Sequence, residues 1–225
     1  MEVLTSFFGQ YGQLLLVGTR DTVVMTLVST LFAYLLGIPL GVLVTLTAPD
    51  GLRPHPALSR VLGWLVNIGR SVPFIILLVA LIPFTRFIVG TSLGVPGAIV
   101  PLVISAAPFV ARMVEQSLRE VDSGLVEAAQ SFGASTWQIV WKVYLHEAVP
   151  SLIRGASITL ITLLGYSAMA GTVGAGGLGD IAIRYGYQRY QNDVMIATII
   201  ILIVLVQIVQ SAGDMTARRM DKRNR

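Results

Sequence analysis

Long apolar runs separated by short charged segments dominate the pattern of this 225-residue chain. Charged residues are absent from 22–49, 87–111, 155–179 and 194–213. A helix that crosses a hydrocarbon core of about 30 Å needs about 20 mostly apolar residues. Because glycine-rich ends favour loops, we predict membrane-spanning helices over about 22–47, 95–111, 152–173 and 194–213.

A fifth span requires a charged residue near the membrane. The uncharged run 71–85 has 15 residues, about 22 Å of helix, which is too short to cross. Extending it back to Val61 gives a span of about 61–85 with Arg70 inside it and a kink at Pro73. Arg70 either extends its charge to the membrane interface or pairs with a neighbouring subunit. The pattern therefore predicts an all-α integral membrane protein with five transmembrane helices, with 1–225 as a single domain.

Composition supports this interpretation. Hydrophobic residues make up 54% of the chain and charged residues 12%, and the mean hydropathy is +0.75, whereas soluble domains carry about 25% charged residues. A soluble enzyme or a nucleic-acid-binding domain is therefore excluded. With no cysteine and only His55 and His146, we predict no catalytic residues and no metal ligands.

The distribution of basic residues predicts the orientation. Five spans place the termini on opposite sides, and the cytoplasmic side carries the excess of Lys and Arg. The 48–60 loop, the 112–147 loop and the C-terminal tail share a side and hold most of the basic residues; those of the tail are Arg218, Arg219, Lys222, Arg223 and Arg225. We predict an external N-terminus and a cytoplasmic C-terminus. The N-terminal segment lacks a basic region and a small-residue cleavage site, so no cleaved signal peptide is expected.

The cytoplasmic loop over 122–147 is predicted to hold two short helices. Asp122 or Ser123 caps a helix that runs through Phe132, and Gly133 occupies the position where a positive φ ends a helix. Ser135 and Gln138 have the spacing of a capping box. An apolar stripe at helical spacing follows: Trp137, Val140, Trp141, Tyr144, Leu145 and Ala148.

The first of these helices has features of a docking surface. Ala128 and Ala129 are small enough for another surface to approach closely, and Glu127 provides a charge for a partner's arginine or backbone donors. An ordinary hairpin at the membrane interface is the alternative.

The same residues resemble the EAA loop of ABC-importer permeases. Glu127-Ala128-Ala129, Gly133 and Val143-x-Leu145 have the family's spacing, with Val143 in place of Ile and His146 in place of Pro. The resemblance implies a coupling helix that docks in a groove of an ATPase subunit. Its docking residues would be Glu127, Ala128, Ala129, Gly133, Ala134 and Ser135.

Longer strings resemble the methionine branch of that family, the MetI type. They are 67–78, 82–92, 107–115, 165–171 and 174–179. The resemblance implies a type I importer permease fold in a bacterial inner membrane and a homodimer that forms the pathway. It also implies a separate ATPase dimer and an extracytoplasmic methionine-binding protein or lipoprotein.

Span four contains candidate gate residues. It is rich in small and hydroxyl residues, which allow close packing of membrane helices or line a pathway. Met169 is an adaptable side chain among small neighbours, and the resemblance implies a methionine at the closed gate. The predicted gate and pathway residues are Gly165, Tyr166, Ser167 and Met169; packing is the alternative for Met169.

Two further motifs lie between spans four and five, a glycine-rich run and an aromatic segment. Gly174–Gly179 fits G-x-G-x-x-G, with Asp193 about 20 residues further on, but no strand precedes it, so we expect a flexible external turn or the end of span four. Tyr185–Tyr190 is an aromatic and basic segment, either an interfacial belt or a contact for a docked binding protein.

The chain contains no G-x-x-x-x-G-K-[ST], so it cannot hold ATP phosphates in a P-loop. We expect no cofactor in this chain and assign ATP and Mg²⁺ to the partner ATPase. The resulting hypothesis is the homodimeric permease of an importer for methionine (D, L or both). The alternatives are another amino acid or a short peptide as substrate, or a secondary transporter, for which neither intramembrane acids nor an inverted repeat are evident.

Overall fold

The computed structural model describes residues 2–220, and every regular element in that range is helical. The basic tail residues Lys222, Arg223 and Arg225 lie outside the described residues. The α-helices are α1 Glu2–Thr47, α2 Pro56–Ser71, α3 Phe74–Ala80, α4 Ile82–Val89, α5 Gly94–Arg119, α6 Ser123–Ser131, α7 Thr136–Ile139, α8 Leu145–Glu147, α9 Val149–Gly171, α10 Gly177–Ile181 and α11 Asn192–Met220. Two π-helical segments, Val140–Tyr144 and Ala182–Tyr187, follow α7 and α10.

Within the described residues, four helices are long and apolar enough to cross a membrane. They are Ser6–Thr47 of α1, α5, α9 and α11. The bent pair formed by α2 and α3 makes a fifth candidate when it is counted as one span. The prediction of an all-α chain is thereby confirmed, and the number of candidate spans is four, or five with the bent pair, compared with the five predicted.

The first span is longer than predicted. The charged residues Arg20 and Asp21 suggested an edge at residue 22, but α1 continues through them from Glu2 for 46 residues. At 1.5 Å per residue this is about 69 Å, more than twice the thickness of a hydrocarbon core. The reason is that a charged side chain does not by itself end a helix; α1 continues through Arg20 and Asp21, and also through Pro39.

The second span is not the continuous kinked helix predicted over 61–85. The chain leaves helical structure at Val72 and Pro73, and it is interrupted again at Leu81 before α4. Proline lacks the backbone N–H and disfavours helix at the preceding residue, so the predicted position of the kink is correct but its extent is underestimated. Arg70 lies exposed in the last turn of α2.

The third span also continues beyond its predicted end. Helix α5 reaches Arg119, eight residues past Ala111, so Arg112 and Arg119 lie on a helix rather than in a loop. Both arginines form ion pairs with Glu115, which is buried. Because charges one turn apart on a helix neutralise one another, the helix extends past the apolar run.

The chain divides into two compact units. The first comprises the chain up to Leu31, Val72–Ser105 and Leu160–Val209. Its buried cluster includes Leu15, Ile181 and Val194. The second comprises Phe32–Ser71, Ala106–Thr159 and the chain from Gln210 onward.

The second unit has a core formed by α1, α2 and α5. Val44, Val66 and Ala111 are buried together there. Tyr34 donates a hydrogen bond to the carbonyl oxygen of Leu152 over 3.3 Å, which connects α1 to α9.

Candidate functional site

The predicted hairpin of the second unit is formed by α6 and α7. The side chain of Asp122 accepts a hydrogen bond from the Gly124 N–H at 2.7 Å and caps α6. Helix α6 ends at Ser131, and Gly133 has φ +76°. Of the two predicted caps, Asp122 or Ser123, the structure uses Asp122, and the predicted glycine turn at Gly133 is confirmed.

The second predicted cap is also confirmed. The Ser135 hydroxyl accepts from the Gln138 N–H at 3.3 Å, and the Gln138 side chain accepts from the Ser135 N–H at 2.8 Å. This reciprocal pair is the capping box. It orients the chain that leaves Gly133 and Ala134 so that α7 starts at Thr136.

The apolar residues predicted to form one stripe beyond this cap do not share one face of a regular α-helix. Val140–Tyr144 is π-helical, and the changed hydrogen-bond period shifts the face that later residues occupy. Trp137 and Trp141 are exposed, whereas Ile139, which lies off the predicted stripe, is buried with Val140. The α-helical period of 3.6 residues therefore did not predict which side chains of this segment are buried.

The predicted docking residues lie together on this hairpin. Glu127, Ala128, Gly133 and Ser135 are exposed, and Ala129 and Ala134 are half-buried. No role was predicted for Phe132, whose side chain is 92% exposed immediately before the glycine turn. It adds a large apolar side chain to the tip of the hairpin, next to the predicted docking residues; the signal in the sequence is a large apolar residue directly before the glycine that ends α6.

The turn between α1 and α2 contacts this hairpin and helix α5 through polar side chains. The Arg53 guanidinium donates a hydrogen bond to the Thr136 hydroxyl over 3.2 Å. Asp50 lies 3.6 Å from Arg119, which also lies 3.3 Å from the buried Glu115. These polar contacts were not found by sequence reasoning, because their members are far apart along the chain.

Asp50 also acts on Tyr144. Partial burial raises the pKa of the Tyr144 phenol above its ordinary value of 10.0, and the negative charge of Asp50 raises it further. Tyr144, Asp50 and Glu127 line one cavity between the turn and α6. The Tyr144 phenol therefore holds its proton more tightly than a solvent-exposed tyrosine does.

The predicted gate residues lie on α9 in the first unit. Met169 is 48% exposed, and Gly165 is exposed one turn before it. A methyl group at Gly165 would find no other atom within 4 Å. Gly165 and Met169 therefore share an open face of the helix.

The other two gate candidates are placed differently. Ser167 is buried, and its hydroxyl donates to the Leu164 carbonyl oxygen at 2.8 Å, so it does not share that open face. Tyr166 is half-buried and stacks on Phe74, the first residue of α3, with ring centroids 4.6 Å apart.

The glycine-rich run after α9 is a packing element. Leu178 donates its N–H to the Thr22 hydroxyl at 2.9 Å, and Gly177, Leu178 and Gly179 are buried. A helix rather than a strand precedes the run, so it lacks the context of a dinucleotide-binding motif. Gly174 lies in an exposed turn directly after α9, whereas Gly177, Leu178 and Gly179 bring α10 into close contact with α1 and α9.

In the aromatic and basic segment Tyr185–Tyr190, arginine side chains lie close to the ring of Tyr185. The guanidinium carbons of Arg184 and Arg189 lie 5.3 and 4.5 Å from the Tyr185 ring centroid. Arg184 also pairs with Asp180. Tyr187 and Tyr190 are exposed.

A family model described as "Binding-protein-dependent transport system inner membrane component" matches residues 37–222. A probable D-methionine transport system permease from Vibrio cholerae is 54% identical over 99% of this chain and 99% of its own length. The D-methionine transport system permease of Escherichia coli K12 is 54% identical over 70% of this chain and 73% of its own.

Two solved structures of ABC transporters also contain chains similar to this one. A chain from inward-facing conformations of the MetNI methionine ABC transporter matches with a TM-score of 0.93 and 51% identity, covering 95% of this chain and 99% of that one. An amino acid ABC transporter solved with histidines matches with a TM-score of 0.77 at 19% identity, over 94% of this chain and 96% of that one. The second likeness shows the fold alone.

Proposed function

Because the chain belongs to the family of binding-protein-dependent transport system inner membrane components, we propose that it is the permease subunit of an ATP-driven methionine importer. The observation that carries the proposal is the 51% identity and 0.93 TM-score to the MetNI chain over 95% of this sequence. Relatives named as D-methionine permeases support the substrate, which is D-methionine, L-methionine or both. The chain has no P-loop motif, so ATP and Mg²⁺ are bound by a separate ATPase.

The translocation pathway lies between two copies of the chain. Five spans are few to enclose a solute, and a two-fold axis gives a closed assembly from one surface. The open face with Gly165 and Met169 then faces its own copy, and two Met169 side chains close the pathway. Ser167 packs within its own chain, and Tyr166 borders the gate.

The hairpin of α6 and α7 couples the permease to the ATPase. Glu127 and Ala128 on α6, with Gly133 at the turn, form the exposed surface that docks, and Ala129, Ala134 and Ser135 complete it. ATP binding closes the ATPase dimer, draws the two hairpins together and opens the gate outward. The hairpin therefore lies in the cytoplasm, with the C-terminus on the same side and the N-terminus outside. An extracytoplasmic binding protein delivers the substrate.

Reconstitution tests the substrate. The chain is placed in liposomes with its partner ATPase and a methionine-binding protein, and uptake of labelled D- and L-methionine is measured with and without ATP. We expect uptake only with ATP. ATP-driven uptake of another amino acid or a peptide without methionine uptake would refute the substrate, and uptake without ATP would indicate a secondary transporter.

Two substitutions test the coupling surface. We expect Glu127→Gln and Gly133→Ala to weaken co-purification of the ATPase and to lower transport, the second because alanine is strained at φ +76°. Glu147→Gln removes an exposed acid outside the docking surface and serves as the matched control. Full association and transport in both variants would show that the docking assignment is wrong.

A further inference from the structure

Phe74 and Tyr166 form the closest ring stack among the described residues. Their ring centroids are 4.6 Å apart and their planes differ by 1°. Phe74 is only 4% exposed. The two rings lie in the same compact unit but 92 positions apart in the chain, so the stack fixes α3 against α9.

The position of Phe74 is itself fixed. It is the first residue of α3, directly after Pro73, whose φ is −57°. The Pro73 carbonyl accepts hydrogen bonds from the N–H groups of Ile76 and Leu77, each at 3.0 Å. Because the proline ring limits φ and the first helical turn is closed, the backbone that carries the Phe74 ring has little freedom.

Tyr166 is only half-buried on α9. Its neighbour Gly165 has no side chain, and a methyl group there would meet no atom within 4 Å apart from its chain neighbours. Met169 follows one turn later on the same side of α9 and is 48% exposed. Without the Phe74 ring, the phenol can therefore rotate toward the open face that holds Gly165 and Met169.

We propose that Phe74 is a positioning residue of the gate: its ring holds Tyr166 away from the open face and so keeps the space around Met169 defined. This inference rests on the proposed function, because it assigns the open face of α9 to the pathway. An aromatic pair adds a stabilisation that corresponds to a shift of about 2- to 12-fold in a two-state equilibrium. Loss of the stack therefore raises the population of displaced Tyr166 by about that factor.

The test uses four variants of the reconstituted complex. Phe74→Leu removes the ring, Phe74→Tyr keeps it, and Tyr166→Leu removes the other partner. Phe87→Leu is the matched control, because the Phe87 ring is 87% exposed on α4. The first readout is leak of preloaded methionine from liposomes without ATP, beside ATP-driven uptake.

We expect Phe74→Leu to raise the leak about 2- to 12-fold and to raise the ATP consumed per methionine, while Phe74→Tyr and Phe87→Leu stay at the wild-type values. The double variant Phe74→Leu with Tyr166→Leu should leak no more than Tyr166→Leu alone, because both remove the same contact. A leak unchanged in both Phe74→Leu and Tyr166→Leu would overturn the proposal, and so would an equal effect of Phe74→Tyr and Phe74→Leu. If Phe74→Leu does not fold, Tyr166→Leu carries the test.

A second readout separates this inference from the proposed function. Fluorotyrosine placed at Tyr166 alone reports its surroundings by ¹⁹F NMR without any substrate. We expect one resonance in the wild type and in Phe74→Tyr, and a second resonance in Phe74→Leu. A single unshifted resonance in Phe74→Leu would refute the positioning role even if methionine is transported; a second resonance in a protein that transports no methionine would retain positioning and refute the gate.

Discussion

Replacement of Gly179 by alanine tests the contact between α9 and α10. A Cβ atom at Gly179 would lie 2.4 Å from the carbonyl oxygen of Ala168 and 2.5 Å from its Cα atom. Both are backbone atoms, and the nearest ordinary contact is 3.4 Å. The two helices must therefore separate by about 1 Å to accept one methyl group.

The expected loss of stability is the balance of two opposing contributions to the free energy of unfolding. Overpacking of this kind costs about 1–3 kcal/mol, whereas alanine in a helix gains about 0.5–1 kcal/mol over glycine. Gly63→Ala on α2 isolates the second term, because a methyl group there would meet no atom within 4 Å. The difference between the two variants is then the steric term, about 1–3 kcal/mol.

Thermal unfolding in detergent measures this difference in stability between the two variants. The readout is the fraction of protein that stays monodisperse as the temperature rises. For a chain of this length each kcal/mol shifts Tm by about 2–4 °C, so Gly179→Ala should unfold about 2–12 °C below Gly63→Ala. Gly171→Ala should behave alike, since its Cβ would lie 2.4 Å from the Asp180 nitrogen, and the double variant should lose less than the sum because the separation is shared. Equal Tm values for Gly179→Ala and Gly63→Ala would refute the reasoning.

Three smaller predictions follow from single contacts. Ser135→Ala removes the acceptor of the Gln138 N–H and should weaken the start of α7 by about 0.5–2 kcal/mol, seen as faster hydrogen exchange at 136–139 with α6 unchanged. Because the folded pKa of Tyr144 is raised, its contribution to stability is full below its unfolded pKa and declines as pH rises through that value toward the folded pKa. Tyr144→Phe should abolish this alkaline component, and Asp50→Asn should make it smaller and lower its upper pH limit. The buried Thr85 hydroxyl has no hydrogen-bond partner within residues 2–220, so Thr85→Val should leave Tm unchanged or raise it, and a clear fall would indicate a bridging water.

Local signals along the chain were sufficient for the caps and the turn of the hairpin formed by α6 and α7. Asp122, Gly133 and the pair Ser135 and Gln138 were identified from spacing alone, because a cap involves neighbours within four residues. The apolar runs located the spans for a similar reason, since crossing a bilayer is a matter of length and hydropathy. The ends of the spans were less reliable, because Arg20 and Asp21 lie inside α1 rather than at its start.

The apolar runs along the chain indicated its membrane-spanning helices, and the cap residues indicated where α6 and α7 begin. Which side chains meet became evident only in the folded chain: Arg53 with Thr136, Phe74 with Tyr166, and Gly179 with Ala168. The physical reason is that composition and period act on neighbours along a helix, whereas these contacts join segments that are close only after packing. After Ile139 a π-helical segment changes the helical period. The side chains that are exposed there could therefore not be predicted from the sequence pattern.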